Sequence, residues 1–538
     1  MIDHPFHIRA VLFDFDGTLT HPGAHDWRQL REELGCPSGT GVLEYIDGMA
    51  DPQKRQAATD SLEAFEAAAA AKSEPAEGAE ELVEALRHRG LKVGIMTRNS
   101  LQSVTTAMSR FGAIGLADFD PVITREARLA PKPDPDGVLH AARHWGIGPE
   151  QVLVVGDFFF DIEAGRRAGA VTALLEWAGR PDQPEADPDF RISALPELID
   201  IVRLGTPMDG GKLPNDLLES FLSDFPAKDP DLLVAAGVGQ DTAAVALDGG
   251  RALVLKSDPI TFVTEAIAQY AVVVNANDIA TAGAVPRWLL TTLLFPPGTT
   301  PSQVRGVMAE LHEVCAGLGI TLCGGHTEIT DAVTRPVVTG MLCGMVDRHR
   351  IIDKRNMRPG DRIVMTKRIA VEGTAIIARE FAGRLSGRGV GDSTIRRAAG
   401  FLPRISILEE ARIAAQAEGV SAMHDVTEGG LATAMEELAA AGGHRFRVRI
   451  DRIPVFPETE KICRAVGIDP MGLIGSGSLL ITCRPGRTDA LVSALREAEI
   501  EASVVGEVLG PGRGIEAADE QGPVAWPAFE ADELTRLF

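Results

Sequence analysis

The run Ala10-Val11-Leu12-Phe13 is apolar throughout and ends abruptly on Asp14-Phe15-Asp16-Gly17-Thr18. An apolar run without alternation describes a strand buried on both faces, and such strands belong to parallel sheets covered by helices. A parallel sheet gathers its ligands at the carboxyl ends of its strands, so two carboxylates at that point stand where chemistry is done. Two further runs repeat the pattern: Val93–Met96 ends on Thr97, and Val152–Val155 ends on Gly156-Asp157. Helical stretches over Gly78–Arg89 and Asp136–Trp145 alternate with them and complete an α/β rhythm. One insert interrupts it, from about Thr20 to Glu77. It is rich in Ala and Glu and reads as a small helical cap.

At 538 residues the chain exceeds what one core supports, and roughly 100–200 residues per unit gives three or four units. The first spans residues 1–205, with the cap at about 20–77. Pro, Asp and Gly crowd GRPDQPEADPDF and GTPMDGGKLPND and mark a boundary, with Ile192–Val202 still closing the first unit. A second α/β unit with longer strands covers 206–355, and a third opens at MRPGDRIVMTK and covers 356–515. Residues 516–538 read as a tail packed on the body.

Lys plus Arg number 53 and Asp plus Glu 76, a formal net charge of −23. That balance argues against nucleic acid as a partner and leaves phosphorylated small molecules open. The N-terminus lacks a basic segment followed by a long apolar one, and no run reaches about 18 apolar residues, so no membrane association and a cytoplasmic location are expected. Six scattered cysteines without a CxxC pair argue against a disulfide framework or structural zinc. Cys315, Cys323 and Cys343 lie in apolar contexts and are expected to be buried.

Alone, the DxDGT stretch could be a turn with solvated acids. Two carboxylates at i and i+2 behind a strand can instead serve one as nucleophile and one as proton donor, with Gly17 turning the chain away beneath them. Thr97 offers a hydroxyl at the next strand end, and Lys132 in APKPDPDG a cation on a Pro-flanked loop. Asp157 offers a third strand-end carboxylate, with Asp161 one helical turn on. Arg98 and Asn99 either shape the pocket from behind these groups or cap the helix starting at Ser100. In this order the residues resemble the haloacid-dehalogenase-like phosphatase superfamily, over roughly residues 8–180. The resemblance implies a Rossmann-like α/β domain in which Asp14 forms an aspartyl-phosphate and Asp16 is the general acid and base. Thr97 and Lys132 would hold the phosphoryl group, and Asp14, Asp16 (through its carbonyl) and Asp157 would hold Mg²⁺. The short cap implies a small phosphorylated metabolite as substrate.

Behind this unit, acids recur in Gly-rich or strand-end settings: Asp241 in GVGQDTAAVALD, Asp258 in ALVLKSDPIT, and Asn275 and Asp278 on one helix face in VVVNANDIATAGAVP. His326 and Glu328 follow in CGGHTEIT, and Asp425 and Glu428 in SAMHDVTEGGLA. Each is ordinary turn chemistry by itself; together, carboxylates from distant segments suit Mg²⁺ bridging a polyphosphate. Their order resembles the superfamily of aminoimidazole-ribonucleotide synthetase, selenophosphate synthetase, thiamine-monophosphate kinase and the hydrogenase-maturation dehydratase, over about residues 210–510. The resemblance implies a two-part α/β module with a dimer-forming N-terminal half and an α+β C-terminal half, using ATP and Mg²⁺. Asp241, Asp258, Asp278 and Asp425 would be the Mg²⁺–ATP carboxylates, Asn277 and Glu328 nearby polar groups, and Lys212 a phosphate contact. Lys256 is a weaker candidate, with a solvated strand-edge position as the alternative. Two departures stand out: Gln240 replaces one acid of the family's pair, and the chain ends in ELTRLF without a cysteine. The second argues against the dehydratase's thiocarboxamide chemistry. The expectation is a bifunctional phosphatase and ATP-dependent kinase-like enzyme, a homodimer through the second module. Alternatives are a phosphatase with a nucleotide-sensing, non-catalytic module, or a maturation factor acting on a partner protein.

Overall fold

A computed structural model describes residues 5–22, 27–37, 41–178, 183–208, 212–224 and 227–538. The chain divides into two compact units, Met1–Asp209 and Gly210–Phe538. Part of the boundary stretch, 179–182 and 209–211, lies outside the described residues. Among them, no helix is long and apolar enough to cross a membrane.

The first unit is built on six parallel strands: β1 (Ala10–Phe13), β2 (Lys92–Met96), β3 (Val122–Ile123), β4 (Val152–Gly156), β5 (Val171–Leu175) and β6 (Phe190–Ile192). They lie in the order β3-β2-β1-β4-β5-β6. β1 is wholly buried, as its unbroken apolar run requires. Phe13 pairs with Ile95 on one side and with Val155 on the other, so three strands end at one level. The insert folds into helices Trp27–Leu34, Val42–Asp47 and Pro52–Ala70, and its two stems meet at a bridge between Thr20 and Pro75. Leu30, Val42, Ile46, Ala58 and Leu62 give it a small core of its own.

The second unit holds two sheets. β7 (Leu232–Val234), β8 (Ala243–Leu247), β9 (Arg251–Ile260), β10 (Val285–Phe295), β11 (Thr321–Ile329) and β12 (Val337–Asp347) lie in the order β11-β10-β12-β9-β8-β7, antiparallel except for β10 with β11. β13 (Arg362–Thr366), β14 (Val420–Asp425), β15 (His444–Arg449), β16 (Leu479–Cys483), β17 (Ala502–Pro511), β18 (Ile515–Asp519) and β19 (Gly522–Val524) form the other, in the order β14-β16-β13-β17-β15-β18-β19. The expected tail from 516 is thus sheet as far as Val524. Only beyond it does the chain dock as a short turn, with Leu534 and Leu537 buried in the core.

Helix Ile267–Thr281 is buried on almost every side, packing on β9 and β12 with one flank and against β14 with another. A helix apolar all round is a core helix, and its few polar residues must each find a partner. Asn277 is one. Its amide donates to the Ile405 carbonyl at 2.8 Å and accepts from the Ile407 amide at 2.9 Å. The expectation that Asn277 faces a nucleotide is therefore corrected: both ends of its side chain are spent on a loop of the third segment. Asn277→Ala removes two buried hydrogen bonds and strands a backbone amide, which should lower stability by about 2–4 kcal/mol. Urea unfolding of the full chain measures this, and an unchanged midpoint would contradict the assignment.

Candidate functional site

In the first unit, the shared level of β1, β2 and β4 fixes what meets what. Asp14 extends the ladder by one bond, its amide donating to Val155 at 2.8 Å, and Thr97 does the same to Ile123 at 2.9 Å. Gly17 turns away with φ of +79°, and a Cβ there would stand 2.3 Å from Asp157 Oδ2. Only glycine allows both that backbone and that approach. Asp157 is braced from outside by Gln183, whose amide donates to its carbonyl at 2.9 Å. Lys132, 6% exposed, donates to Asp14 and, at 2.5 Å, to Asp161. Burial opposes its charge, but Asp14 and Asp161 outweigh burial and hold the ammonium above its ordinary range.

One carboxylate oxygen each from Asp14, Asp157 and Asp161 lies within 4.8 Å of the others. The crowding shows in Asp161, pushed up to about 7 by burial and by Asp14 and Asp157, with Lys132 opposing. Asp16 is pushed up to about 8, by burial first and by the charges of Asp14 and Glu66. Asn99 donates its side-chain amide to Asp16, while the Asn99 backbone amide donates to the Thr97 hydroxyl at 3.1 Å. Ser100, not Asn99, caps the following helix, accepting from the Ser103 amide at 3.2 Å. These groups face an open cavity of about 580 Å³ that the cap lines with Arg31, Val42, Leu43, Leu62 and Glu66. Arg98 reaches the cap through Glu44 at 2.5 Å.

The second unit gathers its acids from more distant segments. Asn275 accepts from the Asp258 amide at 3.0 Å and so fixes the end of β9 against the central helix. One turn on, Asp278 faces Lys256, whose Nζ stands 3.1 Å from Asp258 and 3.2 Å from Asp278. Lys256 is thus no solvated edge residue; burial opposes its charge, but Asp278 and Asp258 hold it well above its ordinary range. Asp241 sits in a glycine loop that packs on helix Gly430–Gly442, where a Cβ on Gly239 would meet the Glu437 carbonyl at 2.1 Å. Its oxygens meet Lys354 and His424 Nδ1, both at 2.7 Å, and His424 Nε2 lies 3.2 Å from Glu437. Although burial opposes ionisation, His424 and Lys354 hold Asp241 far below the carboxylate range. Asp425 is pushed up to about 7 by burial and by Asp241, and burial with the Asp425 charge raises Asp278 well above the ordinary value. Asp278 Oδ2 meets the Lys256 ammonium at 3.2 Å, and the Asp278 carboxyl lies beside the buried carboxyl of Asp425.

The geometry therefore brings Asp14, Asp16, Thr97, Lys132, Asp157, Asp161 and Asn99 to one cavity, and Asp241, Asp258, Asp278 and Asp425 to one cluster. Lys212 approaches that cluster from the leader, its Nζ 3.6 Å from Glu437 and 3.4 Å from the Thr427 hydroxyl. Gly210 and Gly211 lie outside the described residues. Glu328 is not brought in: it lies on the exposed strand β11 beside His326, its side chain 52% exposed. Cys323, expected to be buried, is exposed on the same strand. Lys354, His424 and Glu437 were not singled out from the sequence, although His424 directly precedes Asp425 in the HDVTEGG stretch.

Residues 8–169 match the family model of haloacid dehalogenase-like hydrolases. Residues 239–346 match the N-terminal domain, and 358–518 the C-terminal domain, of AIR synthase related proteins. An uncharacterized hydrolase of Saccharomyces cerevisiae is 36% identical over 171 residues, 32% of this chain and 78% of that protein. Carbamoyl dehydratase HypE of Cupriavidus necator is 27% identical over 284 residues, 51% of this chain and 78% of that protein. Selenide, water dikinase of Geobacter metallireducens is 28% identical over 327 residues, 55% of this chain and 92% of that protein. Through its N-terminal unit the chain belongs to the haloacid dehalogenase-like hydrolases, and it joins that unit to the two domains of an AIR synthase related protein.

Proposed function

We propose that the first unit is a Mg²⁺-dependent phosphatase for a small phosphoester, and that the second binds ATP with Mg²⁺ to activate a small acceptor by phosphorylation. The observation that carries the first half is Asp14, oriented by a buried ammonium at the sheet end with Asp16 beside it. Asp14 attacks phosphorus and takes the phosphoryl group as an acyl phosphate. Asp16, driven toward its protonated form by burial and held by Asn99, gives its proton to the leaving oxygen and then takes one from the attacking water. Thr97 and Lys132 hold phosphoryl oxygens through the transfer. Three converging carboxylates with one lysine, and a Gly17 cradle that a Cβ would fill, fit a divalent cation on Asp14 and Asp157, with the Asp16 carbonyl as a further ligand. Such an ion offsets charge on the transferring group. Asp14→Asn should lower hydrolysis of p-nitrophenyl phosphate by at least about a thousandfold while the second unit keeps its nucleotide affinity, and equal turnover by both proteins would refute the role of Asp14.

In the second unit, six acids (Asp241, Asp258, Asp278, Asp425, Glu428, Glu437) face Lys212, Lys256, Lys354 and His424. With Asp278 and Asp425 buried side by side and both raised by burial and by neighbouring acids, that set of oxygen donors fits hard divalent cations carried by a polyphosphate. Asp258, Asp278 and Asp425 would hold them, whereas Asp241 is already neutralised by Lys354 and His424. A relative named as a dikinase supports phosphoryl transfer from ATP. The saturation of Asp241 favours a second reading, in which the module senses nucleotide without turning it over; ATP hydrolysis across a panel of acceptors separates the two. Asp258, partly exposed, can be changed with little strain, and Asp258→Asn should weaken Mg²⁺–ATP binding about tenfold or more by calorimetric titration without altering phosphatase turnover.

We also propose that the second unit pairs with a copy of itself through β10, β11 and β12. Leu290 lies opposite Met341, both above 40% exposed, and Trp288 extends the stripe. β11 is exposed along nearly its whole length. An apolar sheet face of this kind marks an interface. Leu290→Asp should convert a dimer to monomer in sedimentation velocity; a parent chain already monomeric at about 10 μM would rule this out.

A further inference from the structure

The wall that the cap adds to the phosphatase cavity carries a cation with no acid to meet it. Six acids and three cations line the cavity, and two of those cations are already taken. Lys132 is held by Asp14 and Asp161. Arg98 is held by Glu44 at 2.5 Å, its guanidinium 5.5 Å from the centre of the Phe160 ring. Arg31 is the third. It stands on helix Trp27–Leu34 directly after Leu30, which anchors that helix in the core of the cap. Among the described residues Arg31 pairs with no carboxylate, and its one hydrogen bond, to the Pro37 carbonyl, is long at 3.3 Å. A guanidinium carries five N–H donors in a fork that matches a carboxylate or a phosphate, so most of the Arg31 donors are open to what enters the cavity. Lys132 and Thr97 stand at the sheet end beside Asp14, whereas Arg31 belongs to the cap and so meets the organic part of an ester held there. The rest of the cap wall is mostly apolar, with Val42, Leu43 and Leu62, and Phe158 opens a ring that is 44% exposed to the same cavity. Such surfaces take an apolar body, and a few polar groups set in them fix its orientation.

From this we infer that Arg31 is the subsite for a second anionic group on the substrate. The organic part of the phosphoester carries a carboxylate or a second phosphate on an otherwise apolar body, and the Arg31 fork selects for it. The acids around the cavity repel a further anion, so one that binds does so at the cation they leave unpaired. This rests on the phosphatase reading above. Arg31 acts on specificity and takes no part in bond making.

The test compares kcat/KM for n-alkyl monophosphates of increasing chain length that end in a carboxamide, a carboxylate or a phosphonate, Asp14→Asn serving as the blank. At the best-fitting length an anionic ester should be favoured over the carboxamide by about ten- to a hundredfold, the range of hydrogen bonds to a charged group. The difference should lie in KM rather than kcat, because the contact is the same before and during phosphoryl transfer. Arg31→Met keeps the apolar stem, removes the charge and should bring the ratio close to one. The carboxylate ahead identifies a carboxylate, the phosphonate ahead a second phosphate, and the two level a site that reads charge alone. A ratio near one for the unaltered chain at every length overturns the inference and leaves the phosphatase standing. So does a preference that survives Arg31→Met; if all three esters fall together in that variant, Arg31 serves the transferring group instead. No ester turned over above the blank overturns both readings. Should Arg31→Met fail to fold, Arg31→Gln, also without charge, is read in the same way.

Discussion

Carboxylates that converge out of water repel one another, and each loses solvation as it is buried, so they stay ionised together only around a cation. Both units meet this constraint with buried lysines. Lys132 stands between Asp14 and Asp161, Lys256 between Asp258 and Asp278, and Lys354 against Asp241. At Lys132 and Lys256 burial opposes the charge, and the neighbouring acids outweigh it. The balance is incomplete: Asp16, Asp161, Asp278 and Asp425 all remain raised. Sites built this way are short of positive charge, and that shortage is what a divalent cation with a phosphate ligand would supply.

The two units reach this arrangement by different routes. In the first, a parallel sheet ends three strands at one level, and the acids sit on the loops that leave it. In the second, a helix buried on almost all sides carries Asn275 and Asp278 to the end of β9, while β14 brings His424 and Asp425 from the other sheet. Glycine permits the closest approaches in both, Gly17 under Asp157 and Gly239 against Glu437. A side chain at either position would push a carboxylate loop off its register.

That difference in route decides how much was legible beforehand. In a parallel α/β sheet the order of motifs along the chain is also the order of strand ends, so Asp14, Thr97, Lys132 and Asp157 could be gathered by reading forward. The helical cap was legible from its composition, since an Ala- and Glu-rich insert has no strand pattern. In the second unit, spacing along one helix distinguishes residues only if the buried side is known. Asn275 and Asp278 share a face, but Asn277 lies about 200° round from Asn275 and so points at the third segment. Lys354 and His424 carry no local signal of their role, because each meets Asp241 across more than a hundred residues of chain. Glu328 and Cys323 depart from expectation because β11, apolar in part, is open along its length.

The central claim is that Asp14, oriented by Lys132, accepts the phosphoryl group. Turnover with a phosphoester, quenched in acid, reduced with borohydride and mapped by mass spectrometry, tests it most directly, because an acyl phosphate is reduced to the alcohol where it formed. Homoserine is expected at position 14 and at no other acidic residue. Conversion at another carboxylate, or continued turnover with Asp14 untouched, would contradict it.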